Sequence, residues 1–112
     1  MGNALDDKQF SLEPQAERRI NFAALTGNYQ LVGTKFFNGI VTLYLYSSFD
    51  EEIKLSLDGT TDWLTLPQGP SAFVFDAKSN KAPLPGKYGV YVKHNGTPPT
   101  TGNFYISAMT VV

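Results

Sequence analysis

Cysteine is absent from this sequence. Without it no disulfide, thiolate zinc site or thiol nucleophile can be built, and a chain lacking disulfides favours synthesis in a reducing cytosol. Basic clustering is sparse too. Nine Lys and Arg face ten Asp and Glu for a formal net charge of −1, and the densest basic pair, Arg18-Arg19, has Glu17 beside it. Nucleic acid calls for a clustered basic face and an anionic membrane surface for a polybasic stretch, so neither is expected as a partner. Apolar runs all fall short of the roughly 18 residues that span a bilayer. The opening MGNALDDKQFSLEPQ lacks the layout of a signal peptide, and its Met1-Gly2 start has no Ser or Thr where myristoylation requires one. The expectation is a soluble chain.

What is present is aromatic and turn-rich. The 112 residues include 8 Phe, 6 Tyr and 1 Trp, with 10 Gly and 7 Pro gathered at breaks between apolar segments. A chain of this length buries roughly 65% of its unfolded surface, enough for one core. Ile53, Leu55 and Leu57 alternate with Glu52, Lys54 and Ser56, and Asp58-Gly59 follows as a turn. Phe104, Ile106 and Ala108 alternate with Tyr105, Ser107 and Met109, and Val90 and Val92 with Tyr91 and Lys93. This two-residue period is that of a strand with one dry face and one wet face. Residues 39–47 are apolar or aromatic throughout, with Val41, Leu43 and Leu45 expected on one face and Ile40, Tyr44 and Tyr46 on the other. Such a strand is expected to be central, its second face covered by another layer or a neighbouring molecule. Further strands are expected over 18–24, 29–32, 63–66 and 72–75. About eight short antiparallel strands at this spacing predict an all-β fold, a single β-sandwich or jelly roll over residues 17–112. Residues 1–16 are polar, and Phe10 and Leu12 within them suggest an arm, helical or extended, that lays apolar side chains on something else.

Residues suited to catalysis are few. His94 is the one histidine and precedes Asn95-Gly96, so it is expected to be an exposed loop residue without the partners a proton shuttle requires. Asp50-Glu51-Glu52 is expected at a solvated hairpin tip. Asp58-Gly59-Thr60-Thr61-Asp62 has the outline of a calcium loop without its ligand density or closing Glu, so a plain turn is the simpler reading. Neither a phosphate loop nor a dinucleotide fingerprint occurs. The expectation is a protein that is not an enzyme, with no catalytic residue, cofactor, metal or small-molecule substrate.

The aromatics Tyr44, Tyr46, Trp63, Tyr88, Tyr91 and Tyr105 are the remaining resource. Aromatics fill β cores, but Tyr91 and Tyr105 oppose the apolar faces of their strands and are expected to point outward. Tyrosine-rich surfaces are commoner at protein interfaces than on sugar platforms. Phe10, Leu12, Arg18, Arg19, Tyr44, Tyr46, Trp63, Tyr91 and Tyr105 are the candidate interface residues.

RRINFAALTGNYQLVGT (18–34), SLDGTTDWLTLPQG (56–69), FVFDAKSN (73–80) and YVKHNGTPPTTGNFYISAM (91–109) together resemble small structural proteins of tailed bacteriophages. The resemblance covers about four fifths of the chain and excludes the first 16 residues. It implies a non-enzymatic virion component, made in the host cytoplasm and located in the virion. A capsid decoration or cement protein, acting as a dimer or trimer on the major capsid protein or other virion proteins, is the foremost role. A neck or tail component (adaptor or collar) and a carbohydrate- or receptor-binding module remain open.

Overall fold

A computed structural model describes residues 12–76 and 88–111. Within them lie nine strands: β1 (Leu12–Pro14), β2 (Arg18–Asn21), β3 (Gln30–Leu31), β4 (Ile40–Ser47), β5 (Ile53–Ser56), β6 (Leu64–Leu66), β7 (Ser71–Asp76), β8 (Tyr91–His94) and β9 (Asn103–Val111). They form two antiparallel sheets, one with β9 and β4 at its centre, flanked by β1 and β2 on one side and β7 on the other. The second runs β3-β8-β5-β6. The sheets pack face to face as a β-sandwich, with Leu43, Leu45, Phe104 and Ile106 of the larger sheet and Ile53, Leu55 and Val92 of the smaller all fully buried. A layer of side chains from both inner faces is what makes two half-wet sheets a stable unit.

The expected alternation holds for β9, whose inner face carries Phe104, Ile106 and Ala108. In β4 it is broken. Ile40, expected beside Tyr44 and Tyr46, is fully buried with Leu43 and Leu45 instead. The register against β9 shifts between Ile40 and Thr42, so a bulge at Val41 inserts one residue and turns Ile40 inward. The second face of β4 is also not covered by the described residues, and Tyr44 is exposed.

Leu12–Pro14, the end of the expected arm, belongs to the body. These residues pair with Met109–Val111, and the Gln15 amide donates to the Ala108 carbonyl at 2.9 Å. Residues 15–17 then face only two residues of β9 before β2 resumes the ladder. The bulge and Pro14, which has no N–H to offer, mark this as an edge strand. The rest of the expected arm, Phe10 included, lies outside the described residues.

The acidic run 50–52 is not a hairpin tip, because β4 and β5 belong to different sheets. It is a crossover corner. The Asp50 carboxylate accepts from the Thr100 amide (2.8 Å) and hydroxyl and from the Thr101 amide (3.4 Å), tying this corner to the one before β9. These donors hold the Asp50 carboxyl below its ordinary pKa.

Candidate functional site: the outer face of the larger sheet

Cross-strand register places Arg19, Tyr105, Tyr46 and Ala72 in one row across the outer face of the larger sheet. The next row holds Ser107, Tyr44 and Val74. Directly opposed residues of an antiparallel pair share a face, so the three tyrosines from β4 and β9 stand together. The Tyr46 and Tyr105 ring centroids are 6.0 Å apart with planes tilted by 34°. The Arg19 guanidinium lies 5.9 Å from the Tyr105 ring centroid. Glu17, Ser107 and the three rings bound a shallow depression of about 300 Å³. Val74, 56% exposed, extends the patch toward β7.

This surface offers rigid rings with polar tips on the two central strands of a sheet. Rings fixed by the ladder lose little freedom when they are covered, and their flat faces suit an apolar or sugar surface equally. The hydroxyls keep the patch wettable when it is bare.

Four of the nine candidate residues, Arg19, Tyr44, Tyr46 and Tyr105, are brought together here. Leu12 is on the same sheet at its far corner, opposite Val111 and 41% exposed. Arg18 has an internal role instead. Its guanidinium lies 4.0 Å from the Phe36 ring centroid and donates to the carbonyls of Thr34 and Ala16 and to the Thr34 hydroxyl, each at 3.2 Å. Partial burial lowers its pKa, though a guanidinium stays protonated throughout the useful pH range. Tyr91 points out of the smaller sheet as expected, yet the loop after β5 covers it: a Cβ at Gly59 would sit 3.1 Å from its ring. Trp63 directly precedes β6 of the other sheet and meets Phe73 edge-on at 5.5 Å. It is not part of the tyrosine face.

His94 is the last residue of β8 and half-buried against Gly27, not an exposed loop residue. Its Nδ1 accepts from the Gly96 amide at 3.2 Å, and its own amide donates to the Thr26 carbonyl. No nucleophile is hydrogen-bonded to it among the described residues. The Asp58 loop is also self-contained. Asp58 Oδ1 accepts from the Thr60 and Thr61 amides and the Ser56 hydroxyl at 2.8–2.9 Å, which depresses its pKa strongly. Ser56 is buried at the root of the loop, and Gly59 supplies the positive φ of +88°.

Phe37 was missed in the sequence. It is 91% exposed, while its neighbour Phe36 is buried under Arg18. It lies at the same end of the larger sheet as Glu13, Gln15 and Thr110. Consecutive phenylalanines outside a strand give no periodicity from which to say which one faces the core.

No family model and no curated protein matches the sequence. Among solved structures the chain is similar to a family 29 carbohydrate-binding module variant complexed with cellulohexaose. Identity is 11% with a TM-score of 0.44, covering 93% of this chain and 81% of that one. A second variant of the same module gives 11% identity and a TM-score of 0.42, over 93% of this chain and 76% of that one.

Proposed function

We propose that this chain is a non-catalytic docking domain, a structural component of a bacteriophage particle that lays the tyrosine face of its larger sheet on a neighbouring virion protein. The observation that carries the docking reading is the co-facial set Tyr44, Tyr46 and Tyr105 on a sheet surface that nothing else in the described chain covers. The virion assignment is supported by the four sequence segments that resemble small phage structural proteins. Within the particle we assign it to the capsid surface as a decoration or cement protein, since symmetry multiplies a modest contact over many equivalent seams.

Co-sedimentation with particles that lack the protein tests this reading. Replacing Tyr44 and Tyr46 together by Ser is expected to weaken docking by at least about thirtyfold, the loss typical of a central aromatic anchor. Unchanged docking of that variant removes the face from the reading. Failure of the unaltered chain to bind any particle or virion protein removes the virion role. Copy number then locates it: one copy per capsomer places it on the shell, a single ring at the neck or tail.

One observation favours a second reading, glycan binding at the same face. Glu17, Ser107 and the tyrosine hydroxyls surround the rings with hydrogen-bonding groups, an arrangement that also suits a sugar with an apolar face and polar rim. Specific glycan-array binding lost on Tyr46→Ala would establish it. Trp63, on the other sheet, is the control that should leave such binding unchanged.

A further inference from the structure

A second concave surface lies away from the tyrosine face, at the end of the smaller sheet. Leu57, Asp58, Thr61, Asp62, Trp63 and Tyr88 enclose about 260 Å³. The loop that shapes it is held by the Ser56–Asp58 hydrogen bonds, and the Trp63 amide is fixed to the Leu55 carbonyl at 2.9 Å. Trp63, propped edge-on against Phe73, is 36% exposed, and Tyr88 is 37% exposed. Half-buried Leu57 lines the notch with them, and the lining is more apolar than polar.

Two carboxylates edge this aromatic notch. Asp62 Oδ1 accepts the Tyr29 hydroxyl, and its Oδ2 has no hydrogen bond among the described residues. That bond lowers the Asp62 pKa, as the Thr61 and Thr60 amides lower that of Asp58, so both acids stay ionised at neutral pH. Lys93 and Lys54 act on Asp62 through space but do not line the notch. Lys93 lies over the Tyr29 ring at 4.6 Å, and Lys54 reaches the Thr65 hydroxyl at 3.5 Å.

Aromatic faces attract cations through the ring quadrupole, and adjacent carboxylates add a charge-assisted contact. The described lining carries negative charge only, which disfavours an anion. A neutral guest would cover the carboxylates without pairing them. The volume is at the small end for ligand sites, a fit for a head group and not for an extended molecule. We propose that the Trp63–Tyr88 notch binds an alkylammonium group, with Asp62 as its counter-ion.

Trp63 is the one tryptophan in the sequence, so its emission reads the site directly. The full chain is titrated with choline chloride and with 3,3-dimethylbutan-1-ol, which has the same shape without charge, at matched ionic strength. The expected result is a saturable change with choline and binding at least about tenfold weaker with the alcohol. Asp62→Asn should weaken choline binding about tenfold while the far-UV spectrum stays the same. Equal binding of choline and the alcohol overturns the proposal, as does choline binding unaffected by Asp62→Asn, or no saturable change below about 0.1 M, the range of the weakest specific sites. Tyr88→Ala, read by calorimetry, is the second variant and should also weaken choline. A parallel titration with N-acetyl-lysine amide separates the sources of the cation: the tighter of the two ligands identifies a free head group or a protein side chain.

Discussion

Arg18 and Arg19 are adjacent in sequence and opposite in consequence. Arg18 lies on the inner side of β2, bonded to Thr34 and Ala16 over the Phe36 ring, whereas Arg19 faces out beside Tyr105. Arg18→Ala should therefore cost about 1–2 kcal/mol in urea unfolding, through lost hydrogen bonds and packing, and leave docking intact. Arg19→Ala should do the reverse, with stability within about 0.5 kcal/mol of the parent and weaker docking. Two glycines separate backbone strain from crowding in the same way. Gly96 and Gly102 have φ of +97° and +108°. Around Gly96 a Cβ would meet nothing within 4 Å, but at Gly102 it would stand 2.3 Å from the Ser48 carbonyl oxygen. Gly96→Ala should cost about 1 kcal/mol from strain alone, and Gly102→Ala about 3 kcal/mol or more, because the clash is with backbone that cannot swing aside. The acids give the pH dependence. Asp50, Asp58 and Asp62 all have pKa values below their ordinary range because their charged forms accept hydrogen bonds. A depressed folded-state pKa means stability that is complete above the unfolded value near pH 4 and lost as pH falls below it. The melting temperature should thus be flat from about pH 5 to 7 and drop steeply toward pH 2, and Asp58→Asn, which keeps the acceptor without the charge, should flatten that acid limb. A limb just as steep in Asp58→Asn would assign the acid sensitivity to other groups.

At the scale of the element, strand periodicity was readable and its interruptions were not. Eight of the nine strands overlap segments expected from alternation or from β-rich composition, because a half-buried strand writes its two faces into every second residue. The bulge at Val41 left no such mark, since Ile, Val and Leu fit either face of a fully apolar segment. It decided where Ile40 points. Partition between sheets was equally hidden: Asp50-Glu51-Glu52 has the composition of a hairpin tip, and only long-range pairing shows that the chain there crosses from one sheet to the other. At the candidate site, alternation was enough to send Tyr105 outward and to put Tyr44 and Tyr46 on one face of their strand, but it did not show that this face is open, as the 41% exposure of Tyr44 does. What covers Tyr91 is the loop that leaves the neighbouring strand β5, far away in sequence, and no local pattern reports that. β1 is the short strand the sequence did not signal, three residues with Pro14 among them. It adds ladder bonds to β9 and a Gln15–Thr110 side-chain bond at 3.0 Å. A chain lacking residues 1–16 should be less stable by about 1–3 kcal/mol than one lacking only residues 1–11, with the edge of β9 bared. Equal unfolding midpoints for the two truncations would mean that β1 contributes nothing.

At the scale of the molecule, the two proposed recognition surfaces differ in chemistry, and salt tells them apart. Among the described residues the tyrosine face has few charges, Arg19 and Glu17 at its margin and Asp76 one row beyond Val74, and the chain as a whole carries a net charge of only −1. Little long-range field is therefore available to draw a partner in, and docking on this face must come from covering rings and apolar side chains. Its affinity should change less than about threefold between roughly 0.05 and 0.5 M NaCl, since the screened pairs are few and of opposite sign. A contact driven by counter-ion release would lose several orders of magnitude over the same range. The Trp63–Tyr88 notch should behave differently, because its discrimination rests on Asp62 and Asp58 at an exposed rim, and choline binding should weaken about three- to tenfold across that salt series. Measuring both on one protein preparation makes each the control for the other. If particle docking fell with salt as steeply as choline binding, the partner would be held by charge, and the tyrosine rings would be bystanders to the contact.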